Sequence, residues 1–106
     1  MVYSIKWSDK SKNDIIDIIN YLLDNWGKNS AKKFKNTVFN TIDIISKMPN
    51  LYPLTENRED VRRCIIVKQV SMYYQVNETE NEIYIVRFYD NRRDPERLTD
   101  FLNEIE

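Results

Sequence analysis

The chain of 106 residues has no histidine, a single cysteine at position 64 and a single glycine at position 27. Without histidine and with only one cysteine, it can build neither a zinc cage nor a Ser-His or Cys-His nucleophile pair. One cysteine also excludes an intramolecular disulfide. One glycine and three prolines argue against a loop-rich or disordered chain. We therefore expect an ordered protein with no metal and no cofactor.

Long apolar runs and a strong charge imbalance are also missing. No stretch of about 18 apolar residues can span a membrane, and the N-terminus does not have the pattern of a signal peptide. We expect a cytoplasmic protein with no membrane partner. The formal net charge is −1 and the pI is about 5.5, so any contact with nucleic acid must depend on a local patch. The length predicts one domain, residues 1–106, and the 42% of apolar residues suffices for its core.

The first half of the chain has the periodicity of one strand and two helices. Val2–Trp7 alternates between apolar and polar residues, which predicts a half-buried strand. Ser8 or Asp9 can cap a first helix that Gly27 ends, and Asn29 or Ser30 starts a second helix that ends before Pro49. The short link between them indicates an antiparallel helical hairpin. The apolar stripe of the first helix comprises Ile15, Ile19, Leu22 and Trp26.

The second half changes to the periodicity of strands. The predicted strands are Val61–Lys68, Ser71–Val76 and Glu82–Tyr89, which should form an antiparallel meander. Residues 50–60 are interpreted as a connector without an element of its own, and Pro95–Glu106 as a short C-terminal helix. The predicted fold is α+β: an N-terminal strand, a helical hairpin packed on a small antiparallel sheet, and the C-terminal helix. Both sheet faces look apolar, so one of them should meet a partner.

Arginine is confined to the second half of the chain. All seven arginines lie after position 57, whereas eight of nine lysines lie in the first 47 residues. Because guanidinium binds carboxylates and phosphates in a rigid fork, we expect a functional surface in the second half. Arg63 and Arg87 should project from their strands toward Arg92 and Arg93 in the exposed turn 90–95. The alternative is that each arginine pairs with a carboxylate, since residues 58–97 hold eight basic and eight acidic side chains.

Several segments, in this order and spacing, resemble the RelE/ParE superfamily of type II toxins. They are Tyr21–Gly27 (YLLDNWG), Met48–Pro49, Val61–Arg63, Tyr73–Val76 (YYQV) and Val86–Pro95 (VRFYDNRRDP). The resemblance spans nearly the whole chain. It implies a small bacterial toxin that is neutralised by an antitoxin, a flexible segment of which wraps around the toxin.

The superfamily has two branches with different targets. RelE-like members cut messenger RNA on the ribosome with basic residues of the sheet and a Tyr or His near the C-terminus. Here Lys68 is the only lysine of the sheet region, and nothing aromatic except Phe101 follows Tyr89. ParE-like members instead bind DNA gyrase, and they resemble this chain in the long hairpin, the Tyr-Tyr-x-Val strand and the Arg-Arg-Asp-Pro ending.

We therefore favour a ParE-like gyrase inhibitor that binds rather than catalyses, and no catalytic residue is assigned. The alternatives are a RelE-like endoribonuclease, with the ribosome and messenger RNA as partners, and an inactive structural or regulatory relative. The residues expected to face the target are Arg63, Arg87, Asp90, Arg92 and Arg93. The residues expected to face the antitoxin are Ile16, Leu23, Trp26, Tyr74 and Phe88.

Overall fold

The computed structural model describes residues 2–56 and 58–91. The elements, in chain order, are β1 (Ser4–Trp7), α1 (Asp9–Trp26), α2 (Lys28–Lys47), β2 (Leu54–Thr55), β3 (Arg58–Val67), β4 (Val70–Asn77) and β5 (Glu82–Asp90). The predicted C-terminal helix, Arg92 and Arg93 lie outside these residues. Within them, neither helix is apolar enough over its length to cross a lipid bilayer.

The five strands form one sheet in the order β1-β5-β4-β3-β2, with the helical hairpin packed against it. This confirms the predicted α+β fold with its N-terminal strand and hairpin. The sheet is mixed rather than wholly antiparallel, because β1 pairs with β5 in parallel, from Ser4 opposite Glu82 to Trp7 opposite Ile85. Two helices and three strands separate β1 from β5 along the chain, so no hairpin turn forces the pair to be antiparallel.

The hairpin begins and ends at residues whose chemistry suits those positions. Ser8 caps α1: its Oγ accepts the Ser11 N–H at 2.9 Å and donates to the Val86 carbonyl at 2.6 Å, which fastens the start of α1 to β5. Gly27 ends α1 at φ 92°, and its N–H donates to the Leu22 carbonyl at 2.9 Å. Because α2 begins at Lys28, the link is this single residue, which is shorter than the sequence predicted.

The segment interpreted as a connector contains structure, so that prediction was wrong. Residues 50–60 include the two-residue edge strand β2, and β3 begins at Arg58 rather than at residue 61. The Thr55 hydroxyl closes the turn between the two strands: it accepts the Arg58 N–H and donates to the Arg58 carbonyl, both at 3.0 Å. Because a side chain rather than an apolar pattern stabilises this turn, the alternation of apolar and polar residues does not reveal it in the sequence.

A β-bulge in the β4–β5 pair decides which side chains face the helices. Tyr73 lies opposite Arg87 and Tyr74 opposite Ile85, so Val86 is an extra residue in β5. Ile85 and Phe88 therefore both join the core under the helices, although simple alternation assigned them to opposite faces. The side of the sheet away from the helices, called the far face below, has its own small buried cluster of Val61, Tyr73, Val86 and Tyr89.

Candidate functional site

Three residues stand in register across three neighbouring strands of the sheet. Arg63 of β3 lies opposite Tyr73 of β4, and Tyr73 lies opposite Arg87 of β5. Since neighbouring strands are about 4.8 Å apart, the two arginine backbones are about 10 Å apart with the tyrosine between them. The order of the strands thus brings Arg63 and Arg87 to the two sides of one aromatic residue.

Arg63 is half-buried, and its partners are neutral. Its Nε donates to Ser71 Oγ at 3.1 Å and its Nη2 to Asn91 Oδ1 at 3.3 Å, while Ser71 Oγ donates to Asn91 Oδ1 at 2.8 Å. Asn91 is itself held by bonds to the carbonyls of Lys68 and Gln69. Among residues 2–56 and 58–91, no carboxylate pairs with Arg63. This Arg63 network, Arg63 with Ser71 and Asn91, holds the guanidinium in place, and no described residue compensates its charge.

Arg87 has the opposite electrostatic situation. Its Nε and Nη2 donate to the two carboxylate oxygens of Asp14 at 2.7 and 3.0 Å, and only 19% and 17% of the two side chains are exposed. Asp14 Oδ2 also accepts the Phe88 N–H at 3.1 Å, which closes the edge of β5 beyond the end of β1. The alternative of carboxylate pairing therefore applies to Arg87, with a partner 73 residues away in α1.

The remaining arginines of the described chain do not join Arg63. Arg62, next to it in β3, donates to the Tyr52 carbonyl at 2.6 Å, and Arg58 pairs with Asp60 at 2.8 Å near the edge strand. The Arg58 guanidinium lowers the pKa of the Asp60 carboxyl. Asp90 lies at the end of β5, where it lines a cleft on the helix side. Of the arginines predicted to face the target, the described residues include only Arg63, which has neutral partners, and Arg87, which is in register with it but is neutralised by Asp14.

The far face also has two buried tyrosines that the sequence analysis did not single out as functional, Tyr73 and Tyr89. Burial raises the pKa of Tyr73 and outweighs the opposing effect of the Arg63 charge. On the helix side, burial raises the pKa of Tyr74 to about 12, and its hydroxyl donates to the Pro49 carbonyl at 2.9 Å. Burial likewise raises the pKa of the Cys64 thiol. At neutral pH these groups keep their protons.

Sequence reasoning also missed Ser71 and Asn91. Ser71 and Tyr73 are two positions apart in β4, so period-2 alternation assigns them to the same face. That signal was available in the sequence. The contribution of Asn91 was not, because its bonds reach back to the turn between β3 and β4.

A cleft of about 480 Å³ lies on the helix side, between the hairpin and the end of β5. We call it the hairpin cleft. Its apolar residues are Ile18, Leu22, Trp26 and Phe88, and its polar residues are Asp14, Asp17, Tyr21, Ser30, Gln69, Arg87 and Asp90. The cleft thus combines an apolar floor with carboxylates, and such a lining suits a partner that has apolar and cationic groups.

The five residues expected to face an antitoxin divide into two groups. Ile16, Leu23 and Trp26 are exposed by 53%, 42% and 69%, so they remain available at the surface. Tyr74 is fully buried and Phe88 is 3% exposed, with its ring 5.7 Å from that of Trp7. The assumption that these two form a surface is corrected: the bulge and the core packing turn both toward the helices, and Phe88 contributes only to the floor of the hairpin cleft.

Comparison with known proteins places this architecture in a family. The family described as the ParE toxin of the type II toxin–antitoxin system parDE matches residues 5–95. No curated protein matches the sequence. Among solved structures, the chromosomal ParDE system of P. aeruginosa is similar at a TM-score of 0.71 and 20% identity, covering 84% of this chain and 96% of that one.

Two RelE-type structures share the fold at lower identity. The RelBE2 toxin–antitoxin complex of Mycobacterium tuberculosis has a TM-score of 0.61 at 12% identity, covering 85% of this chain and 99% of that one. A mutant of the E. coli toxin RelE in the free state has a TM-score of 0.65 at 10% identity, with both chains covered fully. These solved structures share the fold, and the family match over residues 5–95 shows that this protein belongs to the ParE toxin family of type II toxin–antitoxin systems.

Proposed function

We propose that this toxin arrests growth by binding DNA gyrase through the far face of the sheet, with Arg63 as the main contact. The observation that carries the proposal is the Arg63 network, in which the partners that residues 2–56 and 58–91 supply to a half-buried guanidinium are all neutral. A positioned cation without a counter-ion favours an anion, and a gyrase–DNA complex offers both carboxylates and phosphates. The ParE family match supports gyrase as the target.

The chemistry of the described residues favours binding over RNA cleavage. A ribonuclease needs one group that takes a proton and one that gives a proton near neutral pH. The chain has no histidine, and the raised pKa values of Tyr73, Tyr74 and Cys64 keep these groups protonated there. Tyr73 can donate a hydrogen bond beside Arg63, but it is a poor proton acceptor. This supports a non-catalytic inhibitor.

The proposal includes an antitoxin that binds on the helix side, in the cytoplasm, to a toxin formed by residues 1–106 as one domain. Trp26 is 69% exposed beside the hairpin cleft, and Ile16 and Leu23 are exposed on α1. At 3.6 residues per turn, Ile16 and Leu23 lie on one flank of α1 while Asp17 and Tyr21 lie on the other. A wrapping segment can cover both flanks, and it would leave the Arg63 surface on the opposite side of the sheet.

Supercoiling by purified gyrase, measured with increasing toxin, tests the proposed target. We expect inhibition by the wild-type chain and at least about tenfold less potency for Arg63→Gln, because a hydrogen bond to a charged group contributes about 1.5–3 kcal/mol. Arg58→Gln is the matched control, since it removes the same charge from the same strand at the distant Asp60 pair, and its potency should equal that of wild type.

A parallel in-vitro translation reaction separates the two branches of the superfamily. New transcript ends at codon positions, together with unimpaired gyrase, would identify a ribosome-dependent ribonuclease and refute the proposal. If the chain neither inhibits gyrase nor cleaves transcripts, and cells that express it grow normally, it is an inactive relative. If folded Arg63→Gln and Arg58→Gln inhibit gyrase equally well, Arg63 does not contact the target.

A further inference from the structure

The hairpin cleft is lined by more carboxylates than cations. Among the described residues, three carboxylates and one guanidinium line it, and the guanidinium, that of Arg87, is already paired with Asp14. Asp17 lies one turn after Asp14 on the same helix, is exposed, and has no hydrogen-bond or ion-pair partner within the part of the chain that the structure describes. The cleft therefore offers a negative site to a ligand from outside.

An aromatic side chain stands next to this carboxylate. Tyr21 follows Asp17 by four residues, so the two lie on the same side of α1, and Tyr21 is 46% exposed. Trp26, which is 69% exposed, lines the same cleft where α1 ends. An exposed ring one helical turn from a carboxylate favours a cation that can stack on a ring and bond in a plane. Guanidinium does both and is more weakly hydrated than ammonium, which favours arginine over lysine.

The edge of β5 indicates how the partner enters. Beyond Ile85 no strand of the described residues lies along this edge, yet the Phe88 N–H on it is already bound by Asp14. A bound carboxylate blocks the addition of a further strand at this point. The occupant is therefore recognised by a side chain inserted into the cleft rather than by backbone pairing along β5.

We propose that the hairpin cleft binds an arginine side chain of the antitoxin, with Asp17 as its counter-ion, Tyr21 as its stacking surface and Leu22 and Ile18 against its apolar neighbours. The proposal rests on the function proposed above, because it takes the antitoxin as the partner. It adds the chemical identity of the anchoring group: one arginine flanked by apolar residues.

Two five-residue peptides test the recognition without the antitoxin. One has a central arginine between two leucines, and the other has the neutral isostere citrulline at that position. In NMR titrations of the full chain at millimolar peptide, we expect the arginine peptide to shift the Trp26 indole and the Asp17 and Tyr21 amides. The citrulline peptide should bind at least about tenfold more weakly.

Variants of α1 make the assignment specific. Asp17→Asn should remove the preference for arginine, and Asp17→Glu should retain it. Asp24→Asn is the matched control, because it removes the same charge from an exposed position of the same helix outside the cleft lining, and it should leave the preference intact. Equal binding of the two peptides to wild type, no binding, or shifts away from the cleft would overturn the proposal.

Pull-down with the product of the neighbouring reading frame separates this proposal from the proposed function. Capture by wild type that Asp17→Asn weakens at least about tenfold supports both. Capture that Asp17→Asn leaves unchanged retains an antitoxin but refutes the arginine anchor. No capture by wild type refutes the antitoxin on which the anchor rests, whatever the peptides do.

Discussion

Removing the Asp14 carboxylate should destabilise the fold more than removing any other charge in the described chain. Asp14 makes two bonds to Arg87 and a third to the Phe88 N–H, between 2.7 and 3.1 Å, and the ion pair is less than a fifth exposed. Breaking a fully buried pair costs about 3–5 kcal/mol, since it leaves an uncompensated charge. After a discount for the remaining exposure, we expect Asp14→Ala to lower the free energy of unfolding by about 2–3 kcal/mol.

Urea unfolding of the purified chain, arranged as a double-mutant cycle, measures the interaction. The single variants Asp14→Ala and Arg87→Ala are compared with the double variant, and we expect a coupling energy of at least about 1 kcal/mol. Asp17→Ala is the matched control: it removes the same group one turn later, where the side chain is exposed, and should change stability by less than about 0.5 kcal/mol.

A cost below about 1 kcal/mol for Asp14→Ala, or additive single variants, would refute this account of the pair. The sheet edge would then be held by something other than the carboxylate. The midpoint and the slope of the transition are both needed, because a changed slope indicates a changed denatured state rather than a lost contact.

Two further substitutions test the link between the helices and the core. In urea unfolding, Gly27→Ala should lower the free energy of unfolding by about 1–3 kcal/mol, because φ 92° with ψ 178° is a region nearly restricted to glycine. The cost would come from the backbone alone, since an added Cβ would meet no atom within 4 Å. Unchanged stability would contradict this backbone conformation. Tyr74→Phe should cost about 1–2 kcal/mol at pH 7 by leaving the Pro49 carbonyl unsatisfied. Since folding raises the pKa of Tyr74 from 10.0 to about 12, its stabilisation is complete below pH 10 and is lost as the pH rises toward 12. Between pH 10 and 12, the free energy of unfolding should therefore fall more steeply with pH for wild type than for the Phe variant. Parallel pH dependences of the two proteins would contradict the raised pKa of Tyr74.

The helical hairpin could be predicted because its signals are local. Ser8 caps α1 through a bond to a residue three positions later, and Gly27 ends it through its own backbone conformation. Both depend on neighbours in the chain, so residue type and spacing were sufficient. The edge strand β2 was missed for the opposite reason: it has two residues and exists only because β3 pairs with it.

The β-bulge at Val86 limited the prediction of the two sheet faces. Strict alternation along β5 separates Ile85 from Phe88, whereas one extra residue in the strand puts both into the core. A bulge depends on how two strands pair, and Val86 has no residue-type signal such as glycine to announce it. The error carried into the expected site, because it made Phe88 look like part of an open surface.

The different roles of Arg63 and Arg87 could not be predicted from the sequence. Arg63 and Arg87 have the same side chain, the same kind of strand and acidic residues nearby, so composition assigns them one role. The fold separates them, because α1 delivers Asp14 to Arg87, whereas Ser71 and Asn91 reach Arg63 with neutral oxygens. Since an ion pair cancels the charge that a ligand would meet and a neutral hydrogen bond does not, Arg63 retains the stronger attraction for an anion. Within the part of the chain that the structure describes, Arg63 therefore has no counter-ion on the far face, whereas the ion pair between Arg87 and Asp14 joins β5 to α1.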